Sequence, residues 1–443
     1  VWLPLAHPAA PSHVSALMSG VMTKVAVYGF IRIVFDLIGT PQWWWGALVA
    51  GLGALTAVLG VLYALMERDL KRLLAYSTVE NIGIVFIGLG LALGFEANDL
   101  RAPAALALTA ALFHALNHSL FKSLLFYGAG AVLHATGLRD LEQLGGLIKR
   151  MPKTALAFLL GAAAISALPP LNGFVSEWLT LQAILISPLL PQWVLKFTVA
   201  AAGALLALAA ALAATCFVRA FGIAFLGRPR SAAAAAAHET DGFSLAAFAV
   251  TGGLCVLAGV LPSAVIRLLT PAVLTLTGAE LPETGAGGLF RLVPIAAERS
   301  AYGGLVLLVA IVLFAAVTAF FVHRLGSRAV RRAPAWDCGF PNADPATQYT
   351  AGSFGQPIRR VFGSVAFQAT ETVDMPPPGD NRPARLEVVV RDPAWERLYD
   401  PIVIAVRFAA ERLNLVQFMT IRRYLTFMFT ALILMLIVVA LWQ

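Results

Sequence analysis

The chain has 443 residues, of which 59% are apolar and 13% charged, about half the ~25% charged that is usual for soluble domains. A soluble fold of this length needs far more polar surface, which excludes a soluble enzyme, a secreted disulfide scaffold and a disordered binder. The net charge of +8 in so apolar a chain reports basic loops on one side of a membrane rather than nucleic-acid binding.

Repeated apolar runs of about 20 residues match the thickness of a bilayer core. Nine such spans are predicted, at 14–38, 43–66, 73–94, 103–133, 154–187, 193–226, 243–269, 302–324 and 424–442. The fold class is therefore an all-α polytopic membrane protein. Residue 1 is Val, and no charged segment or signal peptide precedes the first run. The chain is accordingly expected to begin inside a longer protein.

The first span carries Lys24 near its middle, and Arg32 and Asp36 towards its end. A charge at mid-membrane costs about 2.5–3.5 kcal/mol on insertion scales, so such a residue points to function by default. For Lys24 the alternative is a structural pairing with a neighbouring carboxylate. Arg32 and Asp36, four apart, read as an ion pair at a helix end. Glu80 lies about two turns into the third span, placed for function or for an interfacial salt bridge.

In the fourth span His114, His118 and Lys122 recur every four residues and line one helix face, with Asn117 beside them. Such a stripe can hold and pass protons. Its competitors are a metal site, which lacks an evident third ligand, and core histidines bonded to backbone carbonyls. The fifth span is interrupted by Ala167-Leu168-Pro169-Pro170-Leu171-Asn172-Gly173. A broken helix at membrane depth needs protein or water around its freed backbone, and Glu177 follows the break. It reads as a titrating carboxylate in a polar cavity or as a cap-like residue of the restarted helix.

Four loops, 67–72, 134–153, 227–242 and 324–332, carry 13 Lys and Arg, while the loops between them carry three. The basic set is therefore expected to be cytoplasmic, with the C-terminal end outside. The stretch 333–423 would lie on the cytoplasmic side. Its Pro- and Gly-rich part reads as extended chain on a partner. Trp395–Tyr424 reads as a helix with Arg407, Glu411 and Asn414 on one face, either interfacial or strapping the subunit to its neighbours. Cys216, Cys255 and Cys338 are isolated, so neither an iron–sulfur cluster nor a structural zinc is expected within this chain.

Ala9–Gly20 resembles the A-P-S-x-V-S-A-L motif of the antiporter-like subunits of complex I, and Asp69–Thr78 resembles their D-x-K-R-x-L-A-Y-S-[ST] motif. Ser77–Gly83, His114–Lys122 and Trp336–Phe340 are similar to the branch found in membrane-bound hydrogenase and formate hydrogenlyase complexes. The resemblance covers the whole chain. It implies a fold of inverted five-helix repeats, each with one broken helix. This chain would start just before the family's eighth helix and hold the second repeat within spans 43–66 to 193–226. On this reading 1–226 is the conducting core, 227–332 adds accessory helices, 333–423 is the lateral segment and 424–443 the anchor. The resemblance also matches Lys24, His118 and Lys122 to the family's proton relay and Glu177 to its acidic terminal residue. The family's entry-channel Glu and first broken-helix Lys would lie before Val1.

The implied function is a proton-translocating subunit of a redox-driven complex, through a relay of Lys24, His114, His118, Lys122, Glu177 and Glu80. Its partners would be other membrane subunits and a peripheral redox arm holding a nickel–iron centre and iron–sulfur clusters. This chain itself would hold no cofactor. The alternatives are a subunit of a complex I-type NADH–quinone oxidoreductase, a Na+/H+ antiporter subunit, and a membrane anchor that conducts nothing.

Overall fold

The computed structural model describes residues 2–281, 290–295, 301–326, 344–393, 395–417 and 420–442. Trp336–Phe340, including Cys338, lies outside the described residues. After a short helix α1 (Leu3–Ala9) come α2 (Ser12–Leu37), α3 (Trp43–Met66), α4 (Leu70–Glu96) and α5 (Arg101–Thr136). The short helices α6 (Pro152–Ile165) and α7 (Asn172–Leu185) precede α8 (Trp193–Phe225), α9 (Gly242–Val260), α10 (Pro262–Thr277) and α11 (Gly304–Leu325). Later come α12 (Ala351–Phe362), α13 (Asp400–Gln417) and α14 (Ile421–Trp442). Among the described residues eight helices are long and apolar enough to cross a membrane, and α6 and α7 together replace the remaining predicted span.

The break between α6 and α7 falls at 166–171, slightly earlier than the sequence motif suggests, and Asn172 and Gly173 already open α7. Ala167 takes a positive φ of 52° and the Pro169–Pro170 peptide is cis. Gly259, at the end of α9, lies so close that a Cβ there would meet Asn172 N at 2.7 Å. The predicted span 243–269 is also two helices rather than one, because Pro262 ends the hydrogen-bond ladder of α9 and starts α10.

By its contacts the chain divides into two units, Trp2–Arg360 and Val361–Gln443. In the first, α4 and α5 are central: 83% and 72% of their most apolar windows are buried, against none for α11. Helices α3 and α4 meet through glycines. A Cβ on Gly46 would lie 2.6 Å from Gly94 N, on Gly53 2.8 Å from Gly83 O, and on Gly60 2.5 Å from Glu80 N. Small residues spaced by whole turns let two membrane helices approach backbone to backbone.

Within 333–360 the expectation of extended chain is corrected. The described part forms helix from Ala351 despite Gly352, Gly355 and Pro357, residues of low helix propensity. Tertiary bonds decide the matter. Arg219 Nε donates to Ala351 O at 2.9 Å, Arg230 Nη2 to Tyr349 O at 2.7 Å, and Gly352 N to Glu142 Oε1 at 2.8 Å.

The second unit holds an antiparallel hairpin, β1 (Thr370–Asp374) and β2 (Arg385–Val389), with Thr370 opposite Val389 and Asp374 opposite Arg385. Strand β1 is extended chain within the stretch read as extended from sequence. The predicted helix Trp395–Tyr424 is shorter. A widened turn at Trp395–Tyr399 leads into α13, and the last span starts at Ile421. Arg407, Glu411 and Asn414 are exposed on α13, as are their neighbours from Pro401 to Leu413.

Candidate functional site

The polar side chains expected to carry function converge where α2, α4, α5 and α7 meet. His114, His118 and Lys122 are fully buried, Glu80 and Glu177 are buried, and Lys24 is half-buried. Lys24 Nζ donates to Ser19 O at 2.7 Å and contacts His118 Nδ1. Its partner is thus a histidine and not the carboxylate considered from sequence. When Lys24 carries its proton it only donates, and in that state His118 Nδ1 accepts and the ring proton sits on Nε2. That Nε2 is buried and has no hydrogen-bond partner. The His118 ring stands edge-on to Phe121, 5.4 Å between centroids.

His114, one turn earlier, is held from both sides. Its Nδ1 lies 2.9 Å from Ser176 Oγ on α7 and its Nε2 3.2 Å from Asn81 Oδ1 on α4. Asn81 uses its amide nitrogen on Ser77 O at 2.8 Å, so its oxygen faces the ring. His114 therefore donates from Nε2 and accepts at Nδ1. Its partners are side chains rather than the backbone carbonyls of an ordinary core histidine. Asn117 joins the broken helix as well, donating to Asn172 O at 2.8 Å and Ser176 Oγ at 3.1 Å. These bonds tie α5 to the first turn of α7.

Lys122 points to α4. Its Nζ donates to Leu74 O at 2.9 Å and to Ser77 Oγ, and it lies 5.7 Å from the centroid of the Phe217 ring. Glu80 follows Ser77 by three residues, so it shares that face of α4. Its Oε2 is buried without a partner, which places it inside the bundle and not in an interfacial salt bridge. Glu177 lies beside Ser176 in the second turn of α7, past the cap position. Arg32 and Asp36 do form the ion pair read from their spacing. Among the described residues no His, Cys, Asp or Glu completes a metal-binding group with the two histidines.

The D-x-K-R stretch explains how this cluster is held. Asp69 caps α4, accepting from Lys71 N at 2.8 Å and Arg72 N at 3.2 Å, and pairs with Arg139 at 3.2 Å. Lys71 Nζ reaches Ala10 O at 2.5 Å, and Arg139 Nη1 reaches Pro8 O at 2.5 Å. These bonds tie the chain before α2 to α4 and to the loop that follows α5. Deeper in, Ser19 and Thr78 hydroxyls meet at 2.7 Å. The first turn of α4 thus fixes the height at which Ser77 and Glu80 face α5.

Sequence reasoning missed the small polar residues that orient the ionisable ones: Ser19, Ser77, Asn81, Asn172 and Ser176. Two pairs did carry a signal, since Ser77 and Asn81, and Asn172 and Ser176, are four apart on one face.

A helical membrane bundle with a buried lysine–histidine stripe beside a broken helix is the architecture of an antiporter-like membrane subunit. The family described as NADH:quinone oxidoreductase/Mrp antiporter, transmembrane, matches residues 1–206. Hydrogenase-4 component B of Escherichia coli (strain K12) is 39% identical over 453 residues, covering 99% of this chain and 66% of that protein. An uncharacterized protein of Mycobacterium tuberculosis (strain CDC 1551 / Oshkosh) is 39% identical over 432 residues, covering 96% of this chain and 67% of its own. Among solved structures, the membrane-bound sulfane sulfur reductase, an archaeal respiratory membrane complex, matches with TM-score 0.68 and 23% identity. That match covers 99% of this chain and 65% of the other, and shows a shared fold. The chain belongs to this family of antiporter-like membrane subunits, on the branch of hydrogenase-4 component B. It spans just under two thirds of the length of that relative.

Proposed function

We propose that this chain is a proton-translocating membrane subunit of a redox-driven complex of hydrogenase-4 or formate hydrogenlyase type. The observation that carries the reading is the direct contact of Lys24 on α2 with His118 on α5, with His114 and Lys122 one turn to either side. Successive members of the stripe are about 6 Å apart along the helix axis, a gap that one bridging water can span.

In this reading a proton held between Lys24 and His118 leaves through the open His118 Nε2 towards Lys122 or His114. Glu80 receives or returns charge beside Lys122. Glu177 serves the end of the path at the restart of α7, reached through Ser176. The hydroxyls and amides of Ser77, Asn81 and Ser176 hold the ionisable groups in orientation. The basic loops face the cytoplasm, where a peripheral redox arm docks, and the nickel–iron and iron–sulfur chemistry belongs to partner subunits. H+ is the transported ion, and Na+ is the competing assignment.

The test is Lys122→Ala in the native complex, with assembly verified by mass. Substrate-driven acidification of inverted membrane vesicles is expected to fall at least tenfold. An unchanged pH gradient would remove Lys122 from the path and favour a non-conducting anchor.

A further inference from the structure

We infer that the basic-loop end of α8 carries a binding site for the phosphate headgroup of an anionic phospholipid. A cavity of about 630 Å³ lies between this end of α8 and the segment from Gln348 to Ile358. Its walls are largely apolar, including Val218, Ile223, Phe354 and Pro357, and its polar lining includes Arg219 and Arg230 beside Thr215, Gln348 and Ser353.

Both guanidinium groups are fixed by backbone carbonyls. Arg219 donates to Ala351 O at 2.9 Å and Glu67 O at 2.7 Å. Arg230 donates to Leu144 O and Ile223 O at 3.0 Å each and to Tyr349 O at 2.7 Å. Each keeps a buried nitrogen without a partner, Nη1 of Arg219 and Nε of Arg230. Arg219 is 1% exposed, and among the described residues neither arginine has a carboxylate in contact. The nearby carboxylates are engaged elsewhere: Glu67 pairs with Arg72 at 2.9 Å and Glu142 accepts from Gly352 N.

Burying Arg219 and half-burying Arg230, while the nearby carboxylates are bonded to other groups, is costly. The cost falls if an anion enters, and guanidinium groups suit phosphate oxygens. The position at the end of a span is where lipid headgroups lie, and basic pockets between helices there take anionic headgroups. The apolar walls suit acyl chain. Inorganic phosphate shares the headgroup chemistry but makes no use of those walls, so the site is assigned to lipid.

The experiment is native mass spectrometry of the full chain in its complex, stripped of lipid in mild detergent and titrated with phosphatidylglycerol or phosphatidylcholine. Wild type is expected to retain one phosphatidylglycerol at a concentration at least tenfold below that needed for phosphatidylcholine. Arg230→Gln should abolish the preference. Gly222→Trp should abolish retention, because a Cβ at Gly222 meets no atom within 4 Å and the ring fills the cavity. Equal retention of the two lipids by wild type, or unchanged retention by Gly222→Trp, overturns the proposal. Displacement by millimolar inorganic phosphate alone overturns the lipid assignment. A photoactivatable phosphatidylglycerol on wild type provides a measurement independent of variant folding. Labelling of the peptides holding Val218 and Phe354 supports the site, and labelling elsewhere refutes it.

Discussion

Gly60→Ala tests whether helix contact sets the position of Glu80. A Cβ at Gly60 would lie 2.5 Å from Glu80 N and 2.9 Å from Glu80 Cα, where ordinary contact begins near 3.4 Å. The obstacle is backbone, so α3 and α4 must separate by about 1 Å rather than turn a side chain aside. Overpacking of that kind costs about 1–3 kcal/mol. The separation also moves Glu80 relative to Lys122 on α5. Two controls bracket the result. Gly53→Ala strains the same helix pair two turns away, 2.8 Å from Gly83 O, whereas Gly51→Ala meets only Thr198 Cγ2 at 3.6 Å. Thermal denaturation of the purified complex should show lower midpoints for Gly60→Ala and Gly53→Ala and none for Gly51→Ala. Vesicle acidification should suffer most in Gly60→Ala. A Gly60→Ala protein with the wild-type midpoint and gradient would refute the close contact and the reasoning built on it.

Other outcomes follow from single contacts. Asp69→Ala removes the cap of α4 and the partner of Arg139. It is expected to cost about 1 kcal/mol for the cap, and limited proteolysis should open the chain before α2 faster than in wild type. Ser176→Ala leaves His114 Nδ1 and Asn117 without their shared hydroxyl, a loss of about 1–3 kcal/mol for buried polar groups. Acidification should slow while the complex, checked by its intact mass, still assembles. At the start of α6, partial burial pushes the Glu239 carboxyl up, but bonds from Thr154 Oγ1 and the N–H groups of Lys153, Thr240 and Thr154 hold it below its ordinary value. A carboxyl lowered on folding stabilises above its unfolded value of about 4.3 and loses that contribution as pH falls through its folded one. Glu239→Gln is therefore expected to weaken the fold at pH 6 and to flatten its acid sensitivity below about pH 4.3, read as thermal midpoint against pH.

Much of this protein was legible in one dimension. A membrane span needs about 20 apolar residues whatever surrounds it, so spans such as 43–66 emerge with the boundaries seen in Trp43–Met66. Ionisable residues inside those spans are conspicuous because burial is costly for each of them. Lys24, His118, Lys122 and Glu80 were therefore visible before any fold was known. The Pro169-Pro170 pair likewise announces a break, since proline cannot continue the ladder.

Partners were not legible, because they come from other helices. Lys24 meets a histidine 94 positions away, and Lys122 meets Ser77 across 45. Periodicity places a residue on a face but is silent about what faces it. The helix of the segment after Asp344 is a further case, where Gly352, Gly355 and Pro357 argue against helix and bonds from Arg219 and Arg230 overrule them. Local covalent and solvation physics determined the spans, their break and their buried charges. Tertiary packing alone decided which charge meets which hydroxyl, because those energies exist only once α2, α4, α5 and α7 have closed around one another.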